Sequence, residues 1–144
     1  MQNTCEGASF NTTSMIKLLR LIPPYAFSVI VIMTVLSLTC LPAPEMVDRI
    51  PMFAGADKLV HAIMFGGVVA ALVFDTCRRD PARLTSQRLI VYLLSAVMLG
   101  GITELIQATA AISRSGDIYD FIADCFGAIV ACLTAPKVCR AIFL

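Results

Sequence analysis

The chain has 144 residues, of which 58% are apolar and 15% charged, and its mean hydropathy is +0.85. Soluble domains run at about 45–50% apolar and 25% charged, so this balance excludes an ordinary soluble globule and points to one compact membrane domain. A net charge of +1 leaves no basic patch for nucleic acid, which is excluded as the expected partner.

Residues 1–14, "MQNTCEGASFNTTS", are polar and aperiodic and are expected to be disordered. Met15 is an alternative start, because "MIKLLR" is a positively charged lead into an apolar run. Residues 1–20 thus form a polar and basic N-terminal segment. From Leu21 to Leu41 the chain is uncharged and almost wholly apolar, and about 20 such residues span a ~30 Å hydrocarbon core. Pro23 and Pro24 lie near the start of this run, where proline is tolerated. A cleaved signal peptide is the rival, with "KLLR" as its charged lead and a cut near "LTCLPAP". The length of the apolar run and the poor cleavage context at Thr39-Cys40 favour a retained helix.

Residues 41–58 are a proline-punctuated connection expected at the interface. A second apolar run extends from Lys58 to Phe74, and "DTCRRDPARLTSQR", residues 75–88, reads as a polar, basic loop. The third run, Leu89 to Ile112, carries Glu104 and Gln107 in its second half. After the turn "SRSGD" the fourth runs from Ile118 to Ala135 and ends in "PKVCRAIFL". The fold class expected is all-α: a polytopic four-transmembrane-helix up-down bundle. Its membrane domain is 21–136 and its short cytoplasmic tail 137–144.

Charge placement gives the orientation. With both termini inside, Lys17, Arg20, Arg78, Arg79, Arg83, Arg88, Lys137 and Arg140 are cytoplasmic, and only Arg49, Lys58 and Arg114 are outside. The positive-inside rule therefore predicts N-in/C-in.

That topology collects the polar residues of the spans at the outer end. Asp57 and His61 are four apart on the outer turns of the second span, and Glu104 and Gln107 are three apart near the outer end of the third. Arg114 lies in the outer turn. Asp117, Asp120 and Asp124 share one face of the fourth helix, being three and four residues apart. Glu104 lies about 12 Å along the axis from Ile112, too deep to snorkel. An acid at the bilayer centre costs roughly 2.5–3.5 kcal/mol on insertion scales, so it is expected to face protein or water and to have a partner. Interhelical glue is the plainer alternative. Gly66-Gly67, Gly100-Gly101, the Ala123/Gly127/Ala131 series and Phe65 read as packing residues. Cys5, Cys40, Cys77, Cys125, Cys132 and Cys139 show no metal-ligand spacing and read likewise.

The blocks "DKLVHAIMF" (57–65) and "GGITELIQATAAISRSGDIYDFIADCFGAIVA" (100–131) resemble the two signature blocks of the VanZ-like membrane proteins. Asp57, Lys58 and His61 match the first block. Glu104, Gln107, Arg114, Asp117, Asp120, Asp124 and Gly127 match the second, and the likeness covers roughly residues 20–135. Asp124 stands where Asn is more usual, and Ala131 where a second Gly is common. The resemblance implies a small protein of the bacterial cytoplasmic membrane. Its name-giving member is associated with low-level resistance to the glycopeptide teicoplanin, and the family supplies no reaction.

The function expected is binding or modulation of a cell-envelope lipid or peptidoglycan-related ligand in an outward-facing pocket. Lys58 and Arg114 would meet phosphate or carboxylate, and the acids would accept hydrogen bonds from sugar or amine groups. No cofactor or metal is assigned, and the bilayer is the other expected partner. A metal-dependent enzyme acting on a phosphorylated envelope lipid is the alternative. It would place a divalent ion on His61, Glu104, Asp120 and Asp124. A proton or small-ion pathway is a second alternative.

Overall fold

The computed structural model describes residues 18–19, 21–40, 55–109 and 116–143. Within them the apolar runs become helices α1 (Ala26–Cys40), α2 (Ala56–Cys77), α3 (Ser86–Thr109) and α4 (Ile118–Phe143). The short 3-10 turn Pro81–Arg83 joins α2 to α3. Helices α2, α3 and α4 are long and apolar enough to cross a membrane. Arg114, residues 1–14, the alternative start at Met15 and most of the 41–58 connection lie outside the described residues.

Helix α1 is shorter than its apolar run. It has 15 residues, or about 22 Å of rise, and it begins at Ala26 rather than Leu21. Pro23 and Pro24 explain this. In a continuous helix the Leu19 carbonyl would accept from the N–H of residue 23, which proline lacks. Tyr25 then adopts a left-handed conformation with φ 61° and turns the chain into α1.

The freed backbone groups are satisfied from α2. Arg78 Nη1 donates to the carbonyls of Leu19 (2.6 Å) and Ile22 (3.1 Å), and Nη2 donates to Pro23 (2.6 Å). Arg78 Nε donates to Asp75 Oδ1 at 2.7 Å. Asp75 Oδ2 in turn accepts from the backbone N–H and the hydroxyl of Ser28, at 2.8 and 2.7 Å. An aspartate of α2 thus caps the first turn of α1, whose N–H groups have no partner within the helix. Both Asp75 and Arg78 are buried. The sequence placed them in a polar, basic loop, and the structure puts Asp75 inside α2, with Arg78 at its C-cap.

Side-chain contacts fix the helix directions. Ser28 of α1 meets Asp75 near the end of α2, so these two run antiparallel. Thr76 of α2 bonds Tyr92 near the start of α3 at 2.7 Å. Cys132 Sγ of α4 reaches the Leu89 carbonyl of α3 at 3.7 Å, which turns α4 against α3. Successive helices therefore alternate in direction, and α2 lies parallel to α4.

The α2–α4 crossing is the closest. A Cβ placed on Gly127 would overlap the Ala62 carbonyl oxygen and lie 2.7 Å from Ala62 Cα. A Cβ on Gly66 would stand 3.0 Å from the Gly127 carbonyl oxygen. Backbone meets backbone there, the small-residue contact by which helices associate in lipid. At this crossing and beyond it an apolar layer of Phe65, Val68, Val69, Val73, Ala96 and Ala128 is almost completely buried. It separates two polar ends.

Helix α4 also runs further than expected. It passes through Pro136 and continues to Phe143, where the sequence ended the span at Ala135. Proline removes one helical hydrogen bond. Packing offsets the loss, because Pro136 and Cys139 are buried and the Phe143 ring lies 5.7 Å from that of Phe74.

Candidate functional site at one end of the bundle

The N-terminal turns of α2 and α4 and the C-terminal half of α3 meet at one end, and their polar side chains meet with them. The local sequence explains the placement. Asp57, Lys58 and His61 occupy the first turns of α2, and the parallel α4 carries Asp120 and Asp124 beside them. The antiparallel α3 brings Glu104 to the same level.

Two linked groups result. In the first, Lys58 Nζ lies 3.1 Å from Asp117 Oδ2 and 3.1 Å from Asp120 Oδ1. Asp117 is the cap of α4: its Oδ1 accepts from the Tyr119 N–H at 2.9 Å, the usual role of aspartate before a helix. That N–H and the Lys58 ammonium hold the Asp117 carboxyl below the ordinary aspartate range. Lys58 also sits 5.8 Å from the centre of the Tyr119 ring.

The second group is deeper. His61 Nδ1 lies 3.0 Å from Asp124 Oδ1 and 4.0 Å from Glu104 Oε1. The Asp124 side chain is completely buried, His61 retains 4% exposure and Glu104 12%. Glu104 Oε2 accepts the Asp117 backbone N–H at 2.9 Å, which ties this group to the first. Among the described residues, Glu104 Oε1 and Asp124 Oδ2 are buried and have no hydrogen-bond partner. Gly100 makes room for the latter, since a Cβ there would stand 2.9 Å from Asp124 Oδ2.

The remaining sequence candidates divide. Asp57 is exposed, yet a carboxylate oxygen of it, an imidazole nitrogen of His61 and an oxygen of Asp120 lie within 4.8 Å of one another. Gln107 is not turned to the acids: its Nε2 donates to the Thr39 carbonyl of α1 at 2.8 Å. Arg114 lies outside the described residues. Asp75 and Arg78, which sequence reasoning left in a loop, are buried at the opposite end. Their signal was the Pro23-Pro24 pair, which frees carbonyls that only a long buried donor can reach.

The electrostatics are lopsided. Asp57, Glu104, Asp117, Asp120 and Asp124 face one lysine and one histidine among the described residues. Lys58 is already shared by two acids, so the arrangement is an acceptor of hydrogen bonds or of positive charge. A cavity of about 350 Å³ opens beside it between α3 and α4. Glu104 and Asp117 form its polar part, and Leu105, Ala108, Ile118 and Phe121 line its apolar part.

No curated protein and no solved structure matches the chain. A family profile described as VanZ/LLP1 matches residues 2–140, a stretch that includes α1 to α3, nearly all of α4 and every polar residue of the site. Multi-pass helices and this match together identify the chain as a member of the VanZ/LLP1 family of membrane proteins.

Proposed function

We propose that this protein binds a cell-envelope lipid or peptidoglycan-related ligand at the outer face of the bacterial cytoplasmic membrane. The observation that carries the reading is the cavity between α3 and α4, which has carboxylates at one part and apolar walls at the other. An amphipathic ligand needs that division. Its volume of about 350 Å³ lies within the range of ligand pockets, ~300–1,000 Å³.

The orientation rests on charge. Arg78, Arg79, Arg83, Arg88, Lys137 and Arg140 lie at the end of the bundle opposite His61 and Asp124, while Lys58 is the cation near the acids among the described residues. The positive-inside rule then favours N-in/C-in, with the acidic site outside. Because Lys58 is engaged by Asp117 and Asp120, the ligand head is one that donates hydrogen bonds, an amine or a hydroxyl-rich sugar, to Glu104 and its neighbours. A phosphate would have to displace one of these acids from Lys58 or engage Arg114, which lies outside the described residues. An ion pathway is disfavoured by the buried apolar layer of Phe65, Val68, Val69 and Val73. A contribution to teicoplanin tolerance is proposed on the family resemblance alone.

Native mass spectrometry of protein released from bacterial membranes tests the reading. The expected result is one lipid adduct per chain, strongly reduced in Glu104→Gln and retained in Gln107→Ala. A bare chain in the wild type, or an adduct indifferent to Glu104→Gln, rejects it.

A further inference from the structure

Glu104 Oε1 and Asp124 Oδ2 are buried without a partner among the described residues, and Asp124 is completely enclosed, out of reach of a ligand head in the neighbouring cavity. We propose that His61, Glu104 and Asp124 form a binding site for a first-row divalent metal ion of the Zn2+ or Mn2+ class. One nitrogen and one oxygen from each acid supply the ligands.

Geometry supports three donors converging on one point. An imidazole nitrogen of His61 and one carboxylate oxygen from each acid all lie within 4.8 Å of one another. Metal–ligand bonds of about 2.0–2.2 Å separate neighbouring ligand atoms by roughly 3.0–3.5 Å. The 3.0 Å between His61 Nδ1 and Asp124 Oδ1 already has that value. The 4.0 Å from Nδ1 to Glu104 Oε1 needs only a small side-chain adjustment. The second carboxylate oxygen of Glu104 is held by the Asp117 N–H, the kind of outer contact that orients a metal ligand.

Charge supports the same occupant. Two buried carboxylates, when ionised, carry two negative charges, and Lys58 is bound to Asp117 and Asp120 instead. A proton on His61 Nδ1 would serve Asp124 Oδ1 but leave Glu104 Oε1 bare. A divalent ion neutralises both acids. The donor set selects the class: imidazole suits transition metals, carboxylates suit Mn2+ and other hard ions, and the absence of thiolate from the trio disfavours Cu(I). Asp120, included by the sequence in a metal set, is paired with Lys58 and stands outside this trio. Three protein ligands leave a coordination position open, and Glu104 belongs both to the site and to the lateral cavity.

The test uses the full chain, delipidated in detergent, stripped with chelator and titrated separately with Zn2+ and Mn2+. Calorimetry and metal analysis give the affinity and the stoichiometry. Binding of either ion at one per chain, with a raised melting temperature, is expected. Glu104→Gln and Asp124→Asn should each weaken binding by at least about 100-fold, since even outer contacts are worth 10–100-fold. Asp80→Asn, paired with Arg83 at the opposite end of the bundle, should change it less than about threefold. Should Asp124→Asn fail to fold, Glu104→Gln decides, because Glu104 is less enclosed. Failure of both ions to bind folded wild type overturns the proposal, as does stoichiometric binding unaffected by Glu104→Gln. An infrared band of protonated Glu104 or Asp124 in metal-treated protein would assign the site to a proton and overturn it too. Delipidation keeps this outcome separate from that of the lipid reading.

Discussion

Replacing Arg78 by methionine removes the donor that holds the start of α1 to the end of α2. The guanidinium is completely buried and reaches Asp75 and the carbonyls of Leu19, Ile22 and Pro23 at 2.6–3.1 Å. Two effects compete for the size of the loss. Neutral hydrogen bonds within membrane proteins are worth only about 0.6 kcal/mol each on average. Stranding a buried charge costs about 3–5 kcal/mol, and Asp75 would be stranded with Ser28 as its remaining hydrogen-bond partner among the described residues. The charge term dominates, so Arg78→Met should lower stability by about 3–5 kcal/mol. Arg78→Lys keeps the charge but loses the planar fork and should cost less. The double variant Asp75→Asn/Arg78→Met removes the stranded charge, so it should be more stable than Arg78→Met alone. Unfolding in mixed detergent micelles, followed by helix content, measures all three. An Arg78→Met protein within ~0.5 kcal/mol of wild type, the level of an ordinary surface change, would refute the account of α1.

Gly127→Leu should prevent the α2–α4 approach and lower the yield of folded protein, whereas Gly67→Ala, where a Cβ meets nothing within 4 Å, should be tolerated; thermal unfolding compares them. Asp117, held low by the Tyr119 N–H and by Lys58, should titrate below the ordinary aspartate value of about 3.9, and Lys58→Met should raise its midpoint in carboxyl-resolved NMR. The sign follows from linkage: the folded state favours the carboxylate, so this contribution is present above the unfolded pKa and fades as pH falls through the lower folded value. A reporter fused after Leu144 should be active only inside and one inserted in the 113–117 turn only outside; the reverse pattern would remove the outward-facing site.

Four apolar runs made the four helices legible, three of them long and apolar enough to cross a membrane, and the acidic stripe at α4 follows from spacing alone. The register of α1 was not. Its apolar composition continues to Leu21, but the carbonyls freed by Pro23-Pro24 require a donor that only the folded chain supplies. Asp75 and Arg78 were read as part of a polar, basic loop because charges flanking an apolar run normally end it. Gln107 shows the limit of spacing: it lies one turn from Glu104, yet its face borders α1, and its amide goes to Thr39. Which acid Lys58 would choose was equally closed to sequence, since Asp117 and Asp120 stand at the same level and it takes both.

The central claim is that a ligand from the envelope lies between α3 and α4 against Glu104 and Asp117. A photoreactive phenylalanine analogue at Phe121, on the apolar wall of that cavity, tests it in living bacteria. The account predicts a lipid adduct at this position that disappears with Glu104→Gln, and a different, Glu104-independent pattern from the same group at Phe126, which lines a separate groove between α2 and α4 with Ala62, Gly66 and Val130. The same bulk-lipid adducts from both positions, unchanged by Glu104→Gln, would contradict it.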